Sequence, residues 1–225
     1  MHAILVTGAS GNVGKAIVEK LVSENQHVIA AVSPRSSGMY EGQKLVESVT
    51  VDATDEQQVE SLVRAVSEKY TPLIGLVATV GGFTAGSFSN TGIRQLQQMI
   101  SLNFYTAYTF AKAVAAQMSN QEDGGRMVFI GSRPALDPGE GKLVLAYALS
   151  KSLLFELSAC INADSAETKV SASVLVPGTI DTDPNRKSMP GADFSKWTKP
   201  SDLAAKAWHL ISGTDFSVSD AVVKM

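Results

Sequence analysis

The sequence predicts an α/β fold: a single doubly wound parallel sheet of about seven strands, with helices on both faces. Three observations carry that reading. Short apolar runs recur with helical stretches between them, the alternation that a parallel sheet with crossover helices requires. The chain opens on an apolar run, Ala3-Ile4-Leu5-Val6, which passes into Thr7-Gly8-Ala9-Ser10-Gly11-Asn12-Val13-Gly14 and then a helix-like stretch. At 225 residues, 44% of them hydrophobic and 18% charged, the chain has the size and composition of one globular domain.

Taken in order, apolar runs of strand length fall at about 2–7, 27–32, 46–51, 73–80, 126–131, 170–176 and 217–223. Helical periodicity covers about 12–24, 55–69, 92–118, 146–164 and 201–212. Asp55, just before Glu56 and Val59, suits the start of the second helix, and Pro200-Ser201-Asp202 opens the last in the same way. Segments 133–145 and 178–199 read as irregular loops, the second holding a substrate loop at about 183–199. In an open parallel sheet the ligand lies beyond the carboxyl ends of the strands, on such loops. With no repeat and no low-complexity linker, residues 1–225 are expected to form one domain.

Charge excludes some partners. The net charge is −3, from 19 basic and 22 acidic residues, and no basic run stands out. Nucleic acid and anionic membrane are therefore not expected partners. No apolar run approaches the length of a membrane span, and a first strand at residue 2 or 3 leaves no room for a signal peptide. A cytoplasmic location is expected. The single cysteine, Cys160, sits in a helical stretch beside Leu157 and Ile161 and reads as a buried packing thiol. His2, His27 and His209 lie outside any cluster and read as structural, so no metal site is expected.

The opening motif has a specific use. Glycines let the backbone turn tightly and approach a ligand closely, and a helix N-terminus presents free N–H groups to negative charge. Gly8, Ser10, Gly11, Asn12, Val13 and Gly14 are thus candidates for a pyrophosphate site. A second motif is Tyr147-Ala148-Leu149-Ser150-Lys151, at the start of a predicted helix. A spacing of four puts the phenol and the ammonium on one helix face. An ammonium beside a phenol stabilises the phenolate and lowers its pKa. A fall of about three units, worth about 4 kcal/mol, would bring the phenol near neutral pH, where it serves as a general acid or base. Ser132 follows Met127-Val128-Phe129-Ile130-Gly131 at a strand's carboxyl end, where its hydroxyl could bond a substrate oxygen. Asn103 lies within a predicted long helix, and asparagine is a poor helix-interior residue, which points to a side-chain role.

Thr7 to Gly14, Asn103, Ser132, Tyr147, Lys151 and Pro177-Gly178 fall in the order of the short-chain dehydrogenase/reductase family, and the chain resembles that family over nearly its whole length. The resemblance implies a Rossmann-type fold, a bound nicotinamide dinucleotide and hydride transfer to or from a carbonyl carbon. By that resemblance Tyr147 is the proton donor, and Lys151 lowers its pKa and binds the nicotinamide ribose. Ser132 orients the substrate oxygen, and Asn103 holds a water that links Lys151 to solvent. Asp52 would bind the adenine amino group with Ala53 beside it, although Asp52 suits equally well a helix cap after Thr54. Val80, Gly81 and Gly82 stand where the family approaches the adenosine ribose. Pro177, Gly178, Thr179 and Ile180 stand next to the nicotinamide, with Thr182 near the pyrophosphate or carboxamide. Phe83, Arg133 and Trp197 are candidate substrate-pocket residues, and Phe83 or Trp197 could stack on a flat ring. The implied partner is a small-molecule substrate, and long apolar helices holding Asn103 and Tyr147 imply a homodimer or homotetramer.

A narrower resemblance joins Asp181-Thr182-Asp183-Pro184-Asn185-Arg186-Lys187-Ser188-Met189-Pro190, Ala192-Asp193-Phe194 and Trp197 to the quinoid dihydropteridine reductase branch, which reduces a quinonoid pterin. Ala135-Leu136-Asp137 points the same way. The chain departs from that branch in two respects. It carries Ser132, which the branch lacks and which suits a carbonyl substrate. The second strand runs into Ser33-Pro34-Arg35 rather than an acid. A carboxylate there would bind a ribose 2′-hydroxyl, whereas arginine suits a 2′-phosphate. Ser33 and Arg35 thus favour NADP(H) over NAD(H). The glycine spacing, with Asn12 where the standard branch has glycine, is that of the extended and atypical branches. The functional expectation is an oxidoreductase that passes hydride to a carbonyl or quinonoid substrate. Pterin reduction and a non-catalytic dinucleotide sensor are the alternatives.

Overall fold

Period-2 alternation in the first strand sorts its side chains onto two faces, and the fold is built on that division. Ala3 and Leu5 join one buried cluster, with Val59, Val63, Phe110, Val114 and Leu154. Ile4 and Val6 join a second, with Ile17, Val18, Leu21, Leu203, Ala207 and Leu210. A strand with both faces apolar must be covered on both sides, which is the condition for a parallel sheet with crossover helices.

The structure is a computed structural model that describes residues 2–213 and 221–225. In chain order it runs β1 (Ala3–Thr7), α1 (Asn12–Ser23), β2 (His27–Val32), β3 (Val46–Thr50), α2 (Glu56–Lys69), β4 (Leu73–Ala78) and α3 (Ile93–Ile100). It continues with α4 (Thr106–Met118), β5 (Gly125–Ile130), α5 (Pro138–Gly141), α6 (Leu145–Ala163), α7 (Ser165–Thr168), β6 (Val170–Val176), α8 (Asp183–Ser188), α9 (Pro200–Ser212) and β7 (Val222–Lys224). The strands pair in the order β3-β2-β1-β4-β5-β6-β7, and every pairing is parallel. Strand order reverses between β1 and β4, the switch point at which such sheets bind ligands. α2, α4 and α6 cover one face, and α1 and α9 the other.

Local chemistry sets several boundaries. The Asp55 carboxylate accepts from the amides of Gln57 and Gln58 and caps α2. Pro200, at the first position of α9, fits a place where no amide hydrogen is needed. Among the described residues no helix is long and apolar enough to cross a membrane.

The structure differs from several expectations. The long helix expected over 92–118 is broken by a π-helical segment at Ser101–Tyr105, with Asn103 buried within it. The loop expected at 133–145 contains α5, and the one at 178–199 contains α8, started by Thr182, whose hydroxyl accepts from the Asn185 amide. Cys160 is exposed rather than buried, because α6 presents Leu157 and Ile161 to the core and turns Cys160 away from it. Residues 217–220 of the strand expected at 217–223 lie outside the described residues, and the described part of that end of the chain carries β7 at Val222–Lys224.

Phe129 of β5 has no exposed surface and sits in the first cluster between helix and sheet. Phe129→Ala should therefore lower unfolding stability by about 3–5 kcal/mol, read from urea denaturation.

Candidate active site

The glycine turn lies at the switch point. Gly8 has φ +63°, in the left-handed region, and a Cβ built there would lie 2.9 Å from both Thr79 Oγ1 and Val80 N. Only glycine permits that path without strain. The turn closes with a bond from the Gly11 amide to the Gly8 carbonyl at 2.9 Å, and Gly11 then caps α1 with no side-chain partner. Asn12, Val13 and Gly14 form the first turn of α1, where N–H groups lack intrahelical partners as an anion site would require, and none of the three lines the cleft itself. Thr79 braces the turn from β4, donating from its hydroxyl to Thr7 O at 2.7 Å.

A cleft of about 430 Å³ runs along these residues. Gly8, Ser10, Gly11, Ser33, Asp52, Ala53, Val80 and Gly81 line it, as the sequence leads one to expect. Thr7, at the head of the glycine motif, also lines it, as do Thr79, Leu102, Thr106 and Phe110; no motif marks these last four, because they arrive from separate elements. Arg35 stands just outside this wall, exposed, in a 3-10 turn at Pro34–Ser36. Asp52 does not cap α2. Its carboxylate accepts from the Thr54 amide and hydroxyl at 2.9 and 2.7 Å, and the latter bond leads the fall in its pKa.

At the other end of the cleft the side chain of Asn103 joins three elements. Its Oδ1 accepts from Gly82 N at 2.8 Å, and its Nδ2 donates to Gly82 O at 3.1 Å and to Ser150 Oγ at 2.9 Å. Ser150 Oγ donates in turn to the carbonyl of Tyr147 at 2.8 Å. Gly81 must lack a side chain here, since a Cβ would lie 2.8 Å from Asn103 Oδ1 and 3.2 Å from Lys151 Nζ. Asn103 and Lys151 thus converge on the end of β4. The π segment puts Asn103 there, and π segments are frequent at functional sites.

Lys151 is buried, and its ammonium donates to Ile130 O at 2.7 Å. Desolvation lowers its pKa to about 8. Tyr147, one turn earlier on α6, differs from expectation. Burial raises its pKa above the ordinary phenol value, and the nearby Ser132 hydroxyl lowers it only in part. Lys151 brings no resolved fall, because its ammonium is engaged with Ile130 O and low polarity around the phenol outweighs other influences. Ser132 is buried at the end of β5, close enough to influence the phenol, yet no group among the described residues meets its Oγ at hydrogen-bonding geometry. Leaving such a group unpaired costs about 1–3 kcal/mol.

The remaining candidates surround this centre. Phe83 packs edge-on against Tyr147, with ring centroids 5.1 Å apart, and is 65% exposed. Arg133 turns toward β6 and β7: its guanidinium lies against Gly178 and donates to Met225 O at 3.2 Å. Trp197 packs within its own loop against Phe194, at 4.7 Å. Pro177, Gly178, Thr179 and Ile180 leave the end of β6, and Thr198 ties them down through Gly178 N at 3.2 Å and Thr179 O at 2.8 Å. Thr182 is committed to capping α8.

A family model described as short chain dehydrogenase matches residues 2–192. The chain belongs to the short-chain dehydrogenase family. It is an oxidoreductase of that family, whose members bind nicotinamide dinucleotides. Dihydropteridine reductase of Dictyostelium discoideum is 27% identical over 215 residues, covering 94% of this chain and 88% of that protein. The 3-oxoacyl-acyl-carrier-protein reductase MabA of Mycobacterium tuberculosis is 30% identical over 185 residues, covering 82% and 72%. The solved structure described as ElxO with NADP bound superposes with a TM-score of 0.87 at 19% identity, covering 99% of this chain and 96% of that one. That last likeness is one of fold.

The Lys151 pKa has a consequence for stability. In the unfolded chain a lysine titrates near 10.5, and in the folded protein this one titrates at about 8. Between those values the unfolded chain keeps a proton that the folded protein has released, so stability rises with pH across the interval. The stability of the wild type relative to Lys151→Met should climb between about pH 8 and pH 10 and stay level below pH 7, measured by urea denaturation at each pH.

Proposed function

We propose that this protein is an NADPH-preferring carbonyl or quinone reductase in which Tyr147 protonates the substrate oxygen. The observation that carries the reading is the buried Ser132 hydroxyl, which no group among the described residues meets at hydrogen-bonding geometry and which lies beside the Tyr147 phenol. A substrate oxygen placed between the two would complete both groups. Ser132 would donate to that oxygen and hold it, and Tyr147 would supply the proton. The raised pKa of Tyr147 keeps the phenol protonated at neutral pH, the state a proton donor needs. Lys151, cationic below about pH 8, would support the phenolate left behind. Both amide hydrogens of Asn103 are taken by Gly82 and Ser150, so a relay water from Lys151 would meet Asn103 at an oxygen.

The residues fit a dinucleotide. Gly8 lets the turn pass close under Thr79 and Val80, Gly81 leaves room for Asn103 and Lys151 at the end of the cleft, and the first turn of α1 presents its amides. When bound, the dinucleotide supplies the hydride. Ser33, Asp52 and Ala53 would hold the adenosine end, Gly11 to Gly14 the pyrophosphate, and Lys151 with Pro177–Ile180 the nicotinamide end. Thr182, spent on its cap, would contribute through its position rather than its hydroxyl. The preference for NADPH rests on Ser33 at the cleft wall and Arg35 two residues on, where no carboxylate stands. The exposed Phe83 ring suits a substrate with a flat apolar group. Exposed Tyr105, Tyr108 and Leu149 mark the outer face of the π segment, α4 and α6, which supports pairing with a second copy as a homodimer or homotetramer. A cytoplasmic setting accords with the supply of NADPH.

Tyr147→Phe should cut kcat by at least a hundredfold while leaving the Kd for NADPH within about twofold. Turnover at the wild-type level would end the assignment. Substrates to test are aldehydes, ketones, quinones and a quinonoid dihydropterin, each with NADPH and NADH. Reductive kcat should fall as the pH rises through about 8, where Lys151 loses its charge. Light scattering should give the mass of two or four chains, and a monomer would exclude the pairing.

A further inference from the structure

Tyr40 lies 31 residues from its hydrogen-bond partner and belongs to no motif. Its ring is only 6% exposed and packs in the second cluster, with Ala9. Its hydroxyl donates to the carbonyl of Ala9 at 2.6 Å. Burial, with a smaller push from Glu19, raises its pKa to about 12, so the phenol remains a donor over the whole working pH range. Ala9 sits inside the glycine turn, directly after Gly8 with its left-handed φ of +63°. Its own amide donates to Ala31 O, on β2, at 3.2 Å. The turn is thus held at one residue by two bonds. One runs to the last residues of β2, and the other to the segment 33–45 that leaves it. That segment also carries Ser33 and Arg35.

We propose that Tyr40 is a positioning residue for the dinucleotide. Its phenol fastens the segment that would hold the adenosine ribose onto the turn that would hold the pyrophosphate, and so fixes the distance between the two grips. The proposal rests on the cofactor reading given above and adds to it a residue that touches neither the cofactor nor the substrate. The carbonyl of Ala9 is buried, so removing the phenolic hydroxyl leaves it unpaired and frees segment 33–45 to shift relative to the turn. Binding would then have to restore an alignment that the native protein holds ready.

Tyr40→Phe removes only the hydroxyl and tests this directly. Kd for NADPH and NADH would be measured by nicotinamide fluorescence at 10 °C, alongside melting curves and steady-state rates. The expected result is an NADPH Kd raised about tenfold, the scale of one lost buried hydrogen bond. The ratio of NADPH to NADH affinity should fall, because Ser33 and Arg35 move with the segment. The kcat at saturating NADPH should change by less than about twofold. A lower melting temperature with both Kd values unchanged would reduce Tyr40 to a packing residue and overturn the proposal. A wild-type protein that binds neither dinucleotide would bring down the cofactor reading along with it, whereas unchanged binding in Tyr40→Phe alone would leave that reading standing. If the variant melts too low to measure, amide exchange of the wild-type protein with 2′-AMP decides. This probe has no 5′-phosphate to reach the turn. Slower exchange at residues 8–11 would uphold the link between the grips, and unchanged exchange there would overturn it.

Discussion

The side-chain amide of Asn103 is the bond centre on which the active site depends. It holds Gly82 by both its N–H and its carbonyl, and through Ser150 it reaches the backbone of Tyr147. The end of β4, the π segment and the start of α6 are thereby joined by four short hydrogen bonds in a buried setting. No apolar side chain could replace it, because each of those backbone and hydroxyl groups would lose its partner in low dielectric. The π geometry follows from the same need. An uninterrupted helix from 93 to 118 would carry Asn103 round the axis by a different angle, and the observed insertion gives the carboxamide its place against Gly82.

Around that centre the electrostatics disfavour charge. Burial raises Tyr147 and lowers Lys151, so the phenol holds its proton and the ammonium gives its own up more readily than in water. Both shifts have one cause, desolvation, and together they oppose charge separation within the protein's own groups. The proposed proton transfer therefore needs an external oxygen to accept the proton. Ser132, buried and met at hydrogen-bonding geometry by no group among the described residues, stands beside the phenol where such an oxygen would be held.

Much of this was legible in the sequence, for identifiable reasons. Strands and helices showed through periodicity, because a sheet covered on both faces demands continuous apolar strands such as Ala3–Val6. Gly8, Ser132, Tyr147 and Lys151 were visible because their chemistry requires fixed residue types at fixed spacings. The π insertion was not, since Asn103 marks a side-chain role without marking an extra residue in the turn, and its partner Gly82 lies 21 residues away. The raised phenol of Tyr147 was missed because a spacing of four fixes the face of a helix and says nothing of burial or of what else the ammonium can bond. Arg133 is a candidate pocket residue in the sequence, whereas its guanidinium reaches Met225 across the end of the sheet. Tyr40 gave no signal because its partner is a main-chain oxygen, which any residue provides.

The division of β1 between two buried clusters has one more implication. Tyr147, Lys151 and Asn103 hang from the layer formed by α4 and α6, whereas the glycine turn continues into α1, in the opposite layer with α9. The proposed acid and the proposed dinucleotide grip are thus mounted on different mechanical halves, joined by the thickness of a single sheet. A repacking that swells either half need not damage either apparatus; it would slide one past the other. Defects far from the cleft, beneath α9 for instance, would then surface as a misalignment between two intact devices, with ligand affinity and phenol ionisation both normal and turnover lost.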